Sequence, residues 1–169
     1  MRAFELDALP FSSADLAILA VRSFVYLLER SDQQRALDQI ARHLRRGGLL
    51  ALDLYNPRPA WLLEAPGSVR QDLVHHVASR GVTVSRVESV VSTDLASQIR
   101  VIRSTYEVVA DDGSVISKRF VEWPWRYTHR FEAEHLLERA GLTIEAVYGG
   151  YKREPFTSES ATMLFLARK

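Results

Sequence analysis

Apolar positions in the first third of the chain predict a strand, a helix and a second strand. Residues 16–21 form one unbroken apolar run and residues 49–55 form another, interrupted by one aspartate. Such runs are typical of strands buried on both faces of a parallel sheet. Between them, one apolar stripe recurs at helical spacing at Leu37, Ile40, Ala41 and Leu44. Because the connections are short, we expect a βαβ unit with parallel strands.

The bounds of this first helix are predicted from its end signals. Ser31 is followed three residues later by Gln34, a spacing that predicts a capping box with Ser31 as the N-cap. Arg42, Arg45 and Arg46 are expected in the last turn, where cations are favourable. Gly47 then predicts the end of the helix.

The middle of the chain has a different character and predicts an antiparallel insertion. Residues 58–71 contain two prolines and a glycine and are expected to form a loop with one helical turn. Segments rich in Val, Ile, Thr and aromatic residues follow at 82–92, 99–110 and 115–125. The Asp112-Gly113 pair is a hairpin signal. We therefore predict a three-stranded antiparallel β insertion over residues 82–127, within a single domain of 1–169.

The α/β pattern resumes after the insertion. A second helical stripe is followed by Gly141, a strand is predicted at 143–148, a loop at 149–160 and a last strand at 161–167. The members of the stripe are Ala133, Leu136, Leu137 and Ala140. The predicted order is strand, helix, strand, antiparallel insertion, helix, strand, strand.

Composition narrows the class of protein. The 169 residues carry 22 basic and 21 acidic side chains, a net charge of +1, which disfavours a nucleic-acid binder. No cysteine is present, so disulfides and thiolate metal sites are excluded. No apolar run is long enough to cross a bilayer, and residues 1–10 lack a secretion signal. We expect a cytoplasmic protein that binds neither nucleic acid nor membrane.

Four segments carry a resemblance to a known family. They read ADLAILAVRSFVYLL, ALDQIARHLRRGGLLALDLYNP, HLLERAGLTIEAVYGGY and PFTSESATMLFLARK. In this order they resemble strands four to seven of the class I S-adenosylmethionine-dependent methyltransferases. The resemblance implies an α/β fold with a partial Rossmann-like sheet, and S-adenosylmethionine as the cofactor. An antiparallel insertion before the late helix also occurs in small-molecule methyltransferases of this family.

The glycine-rich cofactor motif of the family has no counterpart in the chain. No two of the eight glycines are separated by a single residue, so GxG does not occur. The stretch MRAF at the start resembles the family just after its adenine-binding residues. The resemblance thus begins near the end of the third strand. It implies that the run at 16–21 is an exposed apolar edge, which we expect to pair with a second copy or with a chain that supplies the missing half.

Candidate site residues follow from the position of ligands at the carboxyl ends of parallel strands. The resemblance implies cofactor contacts at Val21, Arg22 and Ser23, although a solvated turn is the favoured interpretation of Arg22. The residues proposed for the substrate pocket are Tyr26, Asp53, Tyr55, Asn56, Trp125, Tyr127, Tyr148 and Tyr151. Asp53 is also consistent with a structural role, and Trp125 and Tyr127 with a packed sheet face.

The remaining charged residues suggest little further chemistry. His129 is the one histidine retained as a candidate catalytic base, and no metal site is predicted. A charged solvent face is expected in and beside the insertion, formed by Arg100, Arg103, Lys118, Arg119, Arg126 and Arg130. The resemblance implies methyl transfer to a small-molecule N or O nucleophile. The alternative is a non-catalytic binding or dimerisation module derived from a methyltransferase.

Overall fold

The strands of the chain form two separate sheets, each in its own compact unit. The computed structural model describes residues 13–169, and the MRAF stretch at the start of the chain lies outside them. Contacts divide the described residues into a first unit, 13–59 with 126–169, and a second unit, 60–125. The single-domain organisation over 1–169 stays a prediction.

The first unit contains a four-stranded mixed sheet with two helices. Its elements are β1 (Ala14–Leu19), α1 (Arg30–His43), β2 (Leu44–Tyr55), α3 (Arg130–Arg139), β7 (Thr143–Tyr148) and β8 (Thr162–Arg168). The strand order is β1-β2-β8-β7, with β1 parallel to β2 and β8 antiparallel to both of its neighbours. The predicted βαβ unit is therefore confirmed, and the partial Rossmann-like sheet is the one that the sequence predicts.

The core of the first unit lies on one face of this sheet. Alternate residues of β2 and β8 meet the apolar stripes of α1 and α3, because side chains alternate between the two faces of a strand. The buried members are Phe24, Leu37, Ala41, Leu44, Leu50, Leu52, Leu54, Ala133, Leu137, Leu142, Met163, Phe165 and Ala167. Leu49, Ala51, Leu164 and Leu166 alternate with the buried residues and are partly exposed on the opposite face.

The bounds of α1 differ from the prediction. The helix begins at Arg30 with Glu29 as N-cap and has no side-chain cap, so the capping box predicted at Ser31 is not formed. It ends at His43, and Arg45 and Arg46 lie in β2 instead of the last helical turn. Arg45 forms an ion pair with Asp15 of β1. Arg45 thus supports strand pairing and not the helix terminus.

The second unit is a four-stranded antiparallel sheet, one strand more than predicted. After the short helix α2 (Pro59–Leu62) come β3 (Val69–Val77), β4 (Val82–Asp94), β5 (Ile99–Ala110) and β6 (Val115–Arg126), in that order across the sheet. The antiparallel insertion is confirmed, but the added strand β3 was missed. Nearly all side chains of β3 are exposed, so its sequence needs no alternation of apolar and polar residues.

The described helices are short. None of those in 13–169 combines the length and the apolar character needed to cross a membrane.

Candidate functional site

The turn that follows β1 has an unusual backbone. Val21 and Arg22 are both in the left-handed region, with φ of 55° and 54°. This conformation is rare for a β-branched residue such as valine, and it costs free energy. Val21 is 84% exposed. Phe24 and Val25 of the following 3₁₀ turn (Ser23–Tyr26) are buried and hold that turn against the core. Strained backbone of this kind clusters at ligand sites.

Asp53 lies at the centre of a polar cluster at the carboxyl ends of β1 and β2. Asp53 is 2% exposed and lies between the core residues Leu52 and Leu54. Its carboxylate accepts a hydrogen bond from the backbone N–H of Arg22 at 2.9 Å and another from the O–H of Tyr151. A buried carboxylate is tolerated when donors such as these compensate for its lost hydration.

Tyr151 is perturbed by this contact. The hydrogen bond to the Asp53 carboxylate raises the pKa of Tyr151, because ionisation would place two negative charges together, and partial burial acts in the same direction. The phenol therefore remains a donor at neutral pH. Its ring is otherwise exposed to solvent.

The side chain of Arg22 bridges β1 to two other strands. Its Nη2 donates to Thr162 Oγ1 at 3.0 Å, and its guanidinium carbon lies 4.3 Å from the centre of the Tyr55 ring. Its Nε is buried and has no hydrogen-bond partner among the described residues. Buried unsatisfied donors are uncommon in folded proteins, and functional sites are one place where they occur.

Asn56 and Tyr148 hold the segment that carries Tyr151, which we call the 149–161 loop. The Asn56 amide donates to Ser160 O at 2.8 Å, and its backbone N–H donates to Ala161 O at 3.0 Å. Tyr148, at the end of β7, pairs with Leu164 and forms a bridge to Pro155 within the loop. These two predicted pocket residues therefore hold the 149–161 loop in place. Tyr26, another predicted pocket residue, is exposed at the end of the 3₁₀ turn.

Three predicted residues lie elsewhere. Trp125 belongs to the second unit. Tyr127 is buried in the first unit. Its ring and the His129 ring are in a T-shaped arrangement, with their centres 5.6 Å apart. His129 is the N-cap of α3 and forms a capping box with Glu132. Its role as a catalytic base stays a prediction.

A second polar cluster, which sequence reasoning missed, lies within the second unit. Arg100 is 1% exposed, so its assignment to a charged solvent face is wrong. Its guanidinium pairs with Glu64, donates to Trp61 O and lies over the Trp61 ring at 4.5 Å. The cluster borders a cavity of about 60 Å³ that Trp125 also lines. Sequence reasoning missed it because a buried arginine is rare, although the apolar Ile102 two residues later lies on the same buried face of β5.

Metal ligation has no support in the described part of the chain. Within 13–169, no three His, Asp or Glu side chains are grouped so that they could hold an ion.

Comparison with known proteins defines the fold. No protein-family model matches the chain, and no curated protein matches its sequence. Among solved structures, the chain is similar to the CcbJ methyltransferase from Streptomyces caelestis, with a TM-score of 0.73 and 19% identity over 95% of this chain and 59% of that one. It is similar to an S-adenosylmethionine-dependent methyltransferase from Clostridium acetobutylicum, with a TM-score of 0.71 and 15% identity over 96% and 61% of the two chains.

A third solved structure is also similar to the chain. The chain matches the amino pentose methyltransferase CalS10 from Micromonospora echinaspora, with a TM-score of 0.69 and 20% identity over 95% of this chain and 59% of that one. The chain therefore has part of the class I S-adenosylmethionine-dependent methyltransferase fold. It spans about three fifths of the length of these structures.

Proposed function

We propose that the chain forms the acceptor-binding part of an S-adenosylmethionine-dependent methyltransferase that acts on a small-molecule N or O nucleophile in the cytoplasm. The observation that carries the proposal is the convergence of Arg22, Asp53 and Tyr151 at the carboxyl ends of adjacent parallel strands. Ligands of open α/β sheets bind at that edge. The similar solved structures include an amino pentose methyltransferase and a sugar N-methyltransferase, which supports a small-molecule acceptor.

In this proposal the polar cluster orients the acceptor. The Asp53 carboxylate is buried and accepts hydrogen bonds from Arg22 and Tyr151. In the proposal an N–H or O–H of the acceptor replaces the Tyr151 hydroxyl at this carboxylate, which then fixes the direction of the acceptor's lone pair. Orientation of this kind contributes a large part of the rate enhancement in a two-substrate reaction. Tyr26, Tyr55 and Asn56 complete the acceptor side of the site.

The cofactor fits this chain only in part. S-adenosylmethionine supplies an electrophilic methyl group on a sulfonium, and Val21, Arg22 and Ser23 are the proposed contacts at its edge. All eight glycines lie within 13–169, and no two of them are spaced as GxG. A Cβ at Gly48 would meet Ala14 O at 3.0 Å, and a Cβ at Gly149 would meet Pro155 O at 2.7 Å, so both glycines accommodate the chain itself. We therefore assign the glycine-rich loop to a further polypeptide segment and derive no step through the cofactor.

The alternative function is a non-catalytic binding or dimerisation module. It is favoured by one observation: Leu16 and Ile18 of the edge strand β1 are 50% and 64% exposed. Exposed apolar residues on a strand edge are typical of an interaction surface. In this alternative the polar cluster only fixes the turn and the 149–161 loop.

A calorimetric titration with S-adenosylmethionine separates the two functions. We expect no binding at micromolar concentration by this chain alone. We expect micromolar binding once a segment with a GxGxG motif is present, either translated from the DNA upstream of the Met1 codon or co-purified as a separate chain. Asp53→Asn should then lower turnover of the acceptor more than binding of the cofactor.

Two results would decide against the proposal. If no preparation that contains a GxGxG segment binds the cofactor, the module alternative is correct. If this chain alone binds it at micromolar strength, the requirement for the glycine-rich loop is wrong, and Arg22, Asp53 and Tyr151 become the first residues to change.

A further inference from the structure

Arg100 of β5 is buried with part of its guanidinium unused. The residue is 1% exposed, its Nη1 donates to Trp61 O, and its Nη2 pairs with Glu64. Its Nε is also buried and has no hydrogen-bond partner within residues 13–169. Nε–H and one Nη2–H form one edge of a guanidinium, and such an edge can bind both oxygens of a carboxylate. At Arg100, only half of this edge is occupied.

A cavity of about 60 Å³ lies beside Arg100, and all of its lining residues belong to the second unit. Trp125 and Ile102 contribute apolar parts of its wall, and Arg70 and Glu88 contribute an ion pair at 2.8 Å. A single water needs about 10–15 Å³ of such space. The cavity therefore admits a group of a few non-hydrogen atoms, such as a carboxylate, and not a whole sugar or nucleotide.

Glu64 holds the position on Arg100 that a ligand carboxylate would take. Its side chain is 41% exposed, although the side chain of Arg100 is 1% exposed. Glu64 can therefore turn out to water at little cost in hydration, whereas Arg100 cannot. With Glu64 displaced, the charged residues left on the cavity wall are Arg70, Arg100 and Glu88. Their net charge is positive, and one ligand carboxylate restores neutrality around the buried guanidinium.

We propose that this cavity is a binding site for the carboxylate of a small organic acid, with Arg100 as its anchor. One ligand oxygen replaces Glu64 at Nη2 and the other accepts from the unused Nε–H, because the planar guanidinium matches a carboxylate in this way. The carbon end of the ligand lies against Trp125 and Ile102. The inference is independent of the proposed methyl transfer, since no residue of the Asp53 cluster takes part.

Tryptophan fluorescence measures the binding, because all three tryptophans, at positions 61, 123 and 125, lie in the second unit. A tethered carboxylate competes at an effective concentration on the order of millimolar, so a free one should bind the unmodified chain in the millimolar range. At constant ionic strength, we expect propionate to change the emission in a saturable manner. Propionamide, which has the same shape without the charge, should leave the emission unchanged.

Removal of the competing carboxylate should strengthen binding. Glu64→Ala keeps Arg100, and we expect it to lower the dissociation constant of propionate by roughly fivefold or more. Glu64→Gln, which keeps most of the side chain, should act in the same direction. The matched control is Glu122→Ala. Glu122 has a 40% exposed side chain and pairs with another arginine of β5, Arg103, but it does not line the cavity, so its removal should leave the constant unchanged.

Three results would overturn the proposal. If propionate gives no saturable response, or the same response as propionamide, the cavity does not bind carboxylates. If the Glu64 variants bind propionate no more tightly than Glu122→Ala does, Arg100 is not the anchor. If inorganic phosphate binds more tightly than propionate, the assigned class of ligand is wrong.

Discussion

The carboxylate of Asp53 joins three parts of the first unit that are far apart in sequence. Its own strand β2, the turn at Arg22 and the 149–161 loop meet at its two oxygen atoms. Asp53 was predictable as a candidate because a carboxylate inside an apolar run is costly unless it has partners. Its partners were predicted only separately, Arg22 as a cofactor contact and Tyr151 as a pocket residue. Thr162, the partner of Arg22, was missed, because only the folded sheet brings these distant positions together.

Removal of the Tyr151 hydroxyl tests this cluster. Tyr151→Phe keeps the ring but takes a donor from a buried carboxylate, so we expect the free energy of unfolding to fall by about 1 kcal/mol. Since the folded state raises the pKa of Tyr151, the stabilisation is present below the ordinary phenol pKa and is lost as pH rises through the raised value. Denaturant unfolding at neutral and alkaline pH measures both effects.

The control is Tyr26→Phe, at an exposed tyrosine outside the Asp53 cluster. In a tyrosinate absorbance titration, Tyr151→Phe should remove a step that lies above the ordinary phenol pKa, and Tyr26→Phe should leave that step in place. If the step survives in Tyr151→Phe, the hydrogen bond to Asp53 does not form in solution.

Most strands were predicted, including β6 with its largely exposed side chains, whereas strand β3, the start of β2 and the bounds of α1 were not. Strand β7 has the predicted bounds, and β8 is shifted by one residue, because packing against the core imposes a clear apolar pattern on both. Strand β3 was missed because it lies at a sheet edge with its side chains in solvent. The start of α1 was misplaced because the helix begins at Arg30 and its N-cap, Glu29, makes no side-chain cap. The capping-box sequence at Ser31 therefore does not mark the helix start.

The turn between β1 and the 3₁₀ segment is strained, and relief of the strain should stabilise the protein. Val21→Asn replaces a β-branched residue at φ 55° by one that tolerates the left-handed region. Because Val21 packs against little, we expect a gain of about 1 kcal/mol in the free energy of unfolding. The matched change Val115→Asn in β6 should be neutral or destabilising, because asparagine is disfavoured in strands. A loss of stability in Val21→Asn would show that the turn depends on the valine side chain.

At the scale of the whole molecule, the two units are stabilised unequally. The first unit has thirteen buried apolar residues in one cluster. In the second unit, the described apolar side chains that are buried are Val90 and Ile102, beside the paired Arg100. Local stability follows buried apolar contacts, so the second unit should open more readily than the first.

Native-state hydrogen exchange measures this difference. Amides of β4 and β5, the central strands of the second unit, should exchange with a lower opening free energy than amides of β2 and β8. All four are interior strands of four-stranded sheets, which makes the comparison a matched one. Equal protection would mean that the two units unfold as one cooperative structure.

The pairing of β2 with β8 also bears on how the chain folds. Asp53 lies opposite Leu164, so the two strands are separated by roughly 110 residues of chain that include the whole second unit. The entropic cost of closing a loop falls by about 0.6 kcal/mol for each halving of its length. The β4–β5 hairpin closes locally, with Asp94 opposite Ile99, and it shortens that loop before the distant strands meet. Early folding of the inserted sheet therefore offsets part of the entropic cost that its own length adds to the pairing of β2 with β8.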